Sequence, residues 1–575
     1  MKKILVVFLS AVLFFTAVSI PCGAEYAISE PVILISGFMS SPLFENIGSE
    51  SEHKVWGPLK EDIESKICFK DIRLITAALI RGDRKEAGEI IADTVNDTLS
   101  PLRCNEYGEP VTSARQFANN PAKTNIASML SGDDIRYLYE IPFCKYLNKS
   151  TDGGNIFCFE YDSRLDAVKN AEELRKYIHD ILEYTGQKKV RIFTLSYGGL
   201  IAVTYLSLYG EEGLVSRLIM SVPALGGTDL PDRILRGKVD LNLREIVTFA
   251  ETASGSDTLF SSWFDKSDET ALSEIAGYAC KNIDSTVKYW GSIWCLCSND
   301  KYEKLKKDIL GDGVKKEFIE NIDYVHKTVI PNVGNILRHY QSRGVKTAIL
   351  CGTGTALALG GRANGDLILP AAGVSGAVTA DAGGSLGENY KCRGTVCSSP
   401  SHSHLSPDKS VDASTCYLPE NTWFVSRHFH GQYNYENYTR NLVTELLLGD
   451  EINDIYSSPE FPQFHYTQNS YRSIEIDFDG SNQGFVGTRS DGSVSITNLT
   501  EHDRIKVYKI TVNGEKIASP AFSSFIDPGE THGFEYDNPK LKEGEVLTVN
   551  IYYIRIFSLH PFRNNEFKVT VSHYG

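Results

Sequence analysis

The segment Lys189-Val-Arg-Ile-Phe-Thr-Leu-Ser196-Tyr197-Gly198-Gly199-Leu-Ile-Ala-Val-Thr-Tyr sets one serine between an apolar, strand-like run and an apolar, helix-like run. A hydroxyl held at the tip of so sharp a turn can attack a carbonyl carbon once a base removes its proton. The turn needs small residues two before and two after the serine. Gly198 meets that need, whereas Thr194 is bulkier than the glycine or alanine usual there. A serine that merely caps a helix is the plainer reading, but the strand before Ser196 and the glycines after it favour a nucleophile.

Attack on a carbonyl builds negative charge on its oxygen, which fixed backbone N–H groups can stabilise. Pro31-Val-Ile-Leu-Ile-Ser36-Gly37-Phe38-Met39-Ser40-Ser41-Pro42-Leu43 reads as a buried strand ending in a glycine-led turn. The amides of Phe38 and Tyr197 are the candidate donors, with Met39 the alternative to Phe38. The acid and the base are expected to follow the serine along the chain. Gly365-Asp366-Leu-Ile-Leu-Pro370 offers Asp366 as the acid, with Asp381 its rival, because the distance from the preceding strand is variable. Arg427-His428-Phe429-His430-Gly431-Gln432 offers the base. His430 is preferred to His428 for its distance from Leu442, Val443 and Leu446, the apolar face of the helix that follows.

Other constellations carry less. His428 and His430, like His402 and His404, are one residue apart and could be metal ligands, but no third ligand is evident and no metal or cofactor is expected. Asp477-Phe-Asp479-Gly480-Ser-Asn482 has its glycine misplaced for a calcium loop and reads as a hairpin turn. Asn96, Asn148, Asn437 and Asn498 lie in glycosylation sequons. A net charge of −15 argues against nucleic acid, whose phosphates would be repelled.

These residues need a scaffold. Met1-Lys2-Lys3, the apolar stretch Ile4 to Ile20 and Pro21-Cys22-Gly23-Ala24 read as a signal peptide cut after Ala24, so secretion, extracellular or periplasmic, is expected. Twelve cysteines in an exported chain suggest disulfides, with Cys392 and Cys397, or Cys295 and Cys297 with other partners, as participants. At 575 residues more than one domain is expected. From residue 25 to 456, short apolar runs alternate with helical patterns, as in a parallel sheet covered by helices. Strands are expected at Val32 to Ile35, Asn155 to Tyr161, Lys189 to Thr194, Arg217 to Val222 and Lys346 to Cys351, and helices at Ala167 to Tyr184 and Tyr438 to Leu448. The mostly helical stretch of about 227–343 is an insertion, either a lid or an extra layer. A linker at 457–468 leads to 469–575, whose alternating β-branched and aromatic runs read as an immunoglobulin-like β-sandwich.

Taken together, the chain resembles the lecithin:cholesterol acyltransferase-like family of α/β-hydrolases. The resemblance rests on Ser36-Gly37-Phe38-Met39-Ser40-Ser41-Pro42-Leu43, Val55-Trp56 followed by Leu59, Ile63 and Cys68, Tyr161-Asp162-Ser163-Arg164, Thr194-Leu195-Ser196-Tyr197-Gly198-Gly199 and Ser221-Val-Pro-Ala-Leu-Gly226-Gly-Thr. Serines replace the family's proline at Ser36 and its tryptophan at Ser163. The resemblance implies an α/β-hydrolase fold and a lipid or phospholipid acyl ester as substrate, met at a lipid–water interface if the insertion is a lid. Transfer of the acyl group to an alcohol would make the same site an acyltransferase. An inert hydrolase domain beside a sandwich that binds an unknown ligand or surface is the reading of a different class.

Overall fold

The computed structural model describes Tyr26 and residues 30–57, 69–131, 141–151, 153–242, 266–311, 316–399, 402–430 and 437–466, then the segments 474–478, 491–498, 505–518, 525–526, 530–537, 546–555 and 562–570. The leader expected over residues 1–24 lies outside them, as do Cys68 and Gly431. The described residues fall into two compact units that meet in sequence after Tyr466.

The first unit is an α/β structure built on a seven-stranded sheet. Its strands are β1 (Val32–Ile35), β2 (Ile156–Phe159), β3 (Val190–Leu195), β4 (Val215–Ser221), β5 (Lys346–Thr353), β6 (Thr422–Ser426) and β7 (Phe464–Tyr466). They run in the order β7-β6-β5-β4-β3-β1-β2, and every pairing is parallel. A parallel sheet is covered on both faces, so its strands are apolar throughout rather than alternating. Val32-Ile-Leu-Ile shows why: Ile33 and Ile35 join one core with Phe157, Phe159, Ile192 and Met220, while Val32 and Leu34 join another with Ile156, Cys158, Phe193 and Leu350.

Four helices matter to the site: α1 (Ala167–Thr185), α2 (Tyr197–Tyr209), α3 (Lys266–Val287) and α4 (Asn437–Leu448). In α1 the buried residues Ala167, Ala171, Leu174, Ile178 and Ile181 recur at helical spacing. Asp166 caps it by accepting from the amides of Val168 and Lys169, and Gly186 stops it at φ 68°. Helix α4 packs on the opposite face through Leu442, Val443, Leu446 and Leu447. Its carboxyl end is closed by two strand arginines: Arg191 donates to the carbonyls of Leu447 and Leu448, and Arg217 to that of Leu446.

Two elements depart from expectation. Phe464–Tyr466 lies in the stretch read as linker, yet it pairs in parallel with Phe424 to Ser426 as the edge strand. Strand β6 itself has no counterpart among the expected strands. Within 227–343, α3 packs on the helix Arg84–Leu99, where Thr286 donates to Asn96 and Arg84 pairs with Glu274 at 2.7 Å. Trp290, just after α3, belongs to the same core as the sheet.

The second unit holds two antiparallel sheets. Strands β8 (Ile474–Phe478), β9 (Asp491–Asn498), β10 (Ile505–Val512), β11 (Glu515–Ala518), β12 (Phe525–Ile526), β13 (Thr531–Asp537), β14 (Val546–Arg555) and β15 (Phe562–Thr570) form the orders β8-β9-β13 and β11-β10-β14-β15, with β12 also on β10. Asn513-Gly514, at φ 49° and 87°, is the two-residue turn between β10 and β11 that matches strand twist. Ligand-like features of the Asp477 to Asn482 turn fall outside the described residues beyond Phe478.

Candidate active site

The sheet reverses its winding between β1 and β3, because the chain leaves β1 for β2 on one side and returns to β3 on the other. Open α/β sheets bind ligands outside the carboxyl ends of the strands at such a point. Ser196 ends β3 there. Its backbone stands at φ 53°, ψ −122°, a conformation that costs a non-glycine residue about 1–3 kcal/mol and persists only where surroundings enforce it. The enforcement is visible: the Ser196 amide donates to the Ser221 carbonyl, and the Ser196 carbonyl accepts from Gly199 and Ala224.

The small residues of the turn have a steric cause. A Cβ on Gly198 would stand 2.5 Å from the Ser36 carbonyl oxygen, and one on Gly199 would collide with Pro223. The bulk of Thr194 is accommodated from the other side, because its Oγ1 lies 3.3 Å from the point where a Gly199 Cβ would sit.

The turn after β1 packs against this elbow, with a Gly37 Cβ placed only 3.3 Å from that of Ser196. Three side chains fix the turn. The Tyr161 hydroxyl donates to the carbonyls of Ser36 and Gly37, at 3.0 and 2.6 Å. Ser163 Oγ accepts from the Met39 amide at 2.9 Å, and the Trp56 indole donates to the Met39 carbonyl at 3.0 Å. The Met39 amide is thus already engaged by Ser163. Phe38 packs edge-on against Tyr197, ring centroids 6.4 Å apart, and against Trp290 at 6.3 Å. Residues within 227–343 therefore reach the β1 turn.

Asp366 and His430 meet at the carboxyl ends of β5 and β6. His430 Nδ1 is 2.8 Å from Asp366 Oδ2, and the His430 amide donates to the Asp366 carbonyl. Asp366 is 0 % exposed, and its other oxygen accepts from the amides of Ile368 and Leu369. A buried carboxylate needs such partners. With Nδ1 turned to the acid, Nε2 is the nitrogen that can take a proton. Gly352 lets both loops close over β5, since a Cβ there would lie 2.5 Å from the His428 carbonyl and 2.7 Å from Asp366 Cβ.

The two rivals stand elsewhere. The Asp381 side chain is 58 % exposed and faces Arg362 at 3.4 Å. His428 is buried with neither ring nitrogen hydrogen-bonded among the described residues, and burial pushes its imidazole down to about 4, keeping it neutral. The structure brings Asp366 and His430 into contact and sets Ser196 on the same sheet edge. The Ser196 hydroxyl makes no hydrogen bond among the described residues. Met39, Ser196, Val222, Leu367 and Arg427, five of the eight non-glycine residues at positive φ among the described residues, follow these strand ends or adjoin Asp366.

Neither pair suggested for disulfides is joined: the ten cysteines among the described residues are free, with Cys295 and Cys297 buried in the core and Cys397 turned to His402. Glu160, beside the Tyr161 clamp, is 2 % exposed with neither carboxylate oxygen hydrogen-bonded among the described residues, and burial pushes its pKa up to about 7. An unfolded glutamate titrates near 4.3. Between these values the folded chain keeps a proton the unfolded chain has lost, so this group removes stability as pH rises and gives none back above 7. Glu160→Gln is expected to be more stable than the parent at pH 8 by up to about 3 kcal/mol, with the gain vanishing near pH 4. Urea unfolding of both chains across that range checks it, and a gain that does not grow with pH would refute the assignment.

No family model matches this chain, and no curated protein matches its sequence. Among solved structures it is similar to the mature form of the lipase BlEst2 from Bacillus licheniformis, at 15 % identity and TM-score 0.20, over 39 % of this chain and 63 % of that one. It is similar also to the propeptide form of that lipase, at 11 % identity and TM-score 0.25, over 76 % and 91 %. The phospholipase PlaB from Legionella pneumophila matches at 11 % identity and TM-score 0.22, over 72 % and 82 %.

Proposed function

We propose that the protein is a serine ester hydrolase of the α/β-hydrolase fold, with Ser196 as nucleophile, His430 as base and Asp366 as the acid that orients it. The observation that carries the reading is the 2.8 Å contact of His430 Nδ1 with buried Asp366, on the sheet edge where Ser196 stands in a strained turn. In the reaction, His430 Nε2 takes the Ser196 proton as Oγ attacks the ester carbonyl. The amides of Phe38 and Tyr197 stabilise the oxyanion. Collapse expels the alcohol, which receives the proton from His430, and water then releases the acid from the acyl-enzyme by the same steps.

The resemblance of the β1 turn and the elbow to the lecithin:cholesterol acyltransferase-like family favours a lipid acyl ester. Trp290 against Phe38 supports reading 227–343 as a cap over the acyl site, and the leader supports export. The antiparallel sheets of the second unit support an immunoglobulin-like sandwich that would hold a ligand or surface. A fluorophosphonate probe phosphonylates only an activated serine. Labelling of the native chain, mapped to the Ser196 peptide and abolished by His430→Ala, is expected; a native chain that stays unlabelled would instead favour a binding protein.

A further inference from the structure

We infer that Cys397, His402 and His404 form a zinc site within the loop between β5 and β6. The sequence places the two histidines one residue apart without an evident third ligand, and the fold supplies it. One ligand atom from each of Cys397, His402 and His404 lies within 4.8 Å of the others. Cys397 Sγ stands 3.2 Å from His402 Nδ1. Zinc binds thiolate sulfur at about 2.3 Å and imidazole nitrogen at about 2.0 Å, so tetrahedral ligand atoms lie about 3.5 Å apart. The first pair already has that separation, and closure by about an ångström brings in the third.

The protonation of His404 is set by its neighbours. Gln463 Nε2 donates to the carbonyls of Pro419 and Thr422, at 2.7 and 3.1 Å, which fixes the amide so that its oxygen faces His404. That oxygen lies 3.0 Å from His404 Nδ1, which must therefore carry the hydrogen. His404 Nε2 is left with a lone pair, and among the described residues it has no hydrogen-bond partner, on a side chain only 2 % exposed. A ligating histidine that gives its other N–H to a fixed acceptor is the usual outer support of a metal. Without a metal, that nitrogen is a buried acceptor left unpaired, a state that folding disfavours.

Two imidazoles and a thiolate suit zinc over magnesium or calcium, which select oxygen. On binding, Cys397 gives its thiol proton to solvent and its sulfur lone pair to the metal. The Tyr456 hydroxyl, 3.2 Å from Cys397 Sγ, lines a further side, where it or water completes the set. The site is structural rather than hydrolytic. Gln463 and Thr422 mark the amino ends of β7 and β6, whereas His430 follows the carboxyl end of β6.

Full-length protein should carry a single zinc per chain by inductively coupled plasma mass spectrometry. A strong chelator should remove it and lower Tm, and zinc should restore both. The cobalt-substituted protein should show a thiolate-to-cobalt charge-transfer band that Cys397→Ser abolishes. His404→Ala should lose the metal, and Cys392→Ser, at the exposed neighbouring cysteine, should keep it. A native chain with neither bound zinc nor a cobalt–thiolate band overturns the assignment, and so does a band that survives Cys397→Ser. The wild-type metal content and spectrum decide the matter even if a variant does not fold.

Discussion

Ser196→Ala is expected to lower kcat/KM for a p-nitrophenyl ester by about 10⁴- to 10⁶-fold, with Tm within a degree or two of the parent. Loss of the nucleophile leaves only the oxyanion donors and substrate binding, which by themselves give weak catalysis. Stability should hold because the Ser196 hydroxyl supports nothing in the fold. The elbow is secured by backbone bonds from Ser221, Gly199 and Ala224, all of which alanine keeps. Steady-state kinetics on a series of acyl lengths, with thermal unfolding beside them, checks both halves. Activity that persists in the variant within tenfold would remove Ser196 from the chemistry.

Asp366→Asn is expected to cost about 10³- to 10⁴-fold in kcat, while Asp381→Asn stays within about twofold of the parent. Asparagine turns an N–H toward His430 Nδ1 and imposes the tautomer in which Nε2 already carries its hydrogen and cannot accept the serine proton. The fold should survive, since the oxygen that accepts from Ile368 and Leu369 is retained. Asp381 holds only an exposed pair with Arg362. Kinetics of the two variants in parallel discriminate the acids, and equal losses, or a loss at Asp381 alone, would overturn the choice of Asp366.

The elbow, the β1 turn, Asp366 and His430 were all legible as local patterns, because a strand–turn–helix with glycines after it is written in consecutive residues. Choosing His430 over His428 was possible from spacing alone; that His428 is instead buried and neutral depends on what covers it. Tyr161, Ser163 and Trp56 entered the sequence reading only as points of family likeness. Their hydrogen bonds to the β1 turn span 124, 124 and 17 positions, and no periodicity encodes such a reach. The engagement of the Met39 amide by Ser163 is equally beyond the reach of a local pattern. Phe464–Tyr466 was missed for a different reason: three residues after Pro462 are too few to show a period of two, and the strand exists only because β6 offers it an edge. The cysteines misled because their number, in a chain read as exported, suggests bridges, whereas burial and a neighbouring imidazole account for Cys295, Cys297 and Cys397.

The edge strand also dictates where this chain can be divided. A cut at Ser457, the start of the stretch read as linker, would strip Trp423 of the Phe461 carbonyl its indole donates to, and Phe424 of the Gln463 carbonyl its amide donates to. It would turn β6 into a bare edge, with open N–H and C=O groups ready to recruit the strand of another molecule. A chain shortened after Tyr466 keeps that edge covered. Solubility rather than turnover is what should distinguish the two lengths, so the border of the first unit lies nine residues beyond the start of the stretch read as linker.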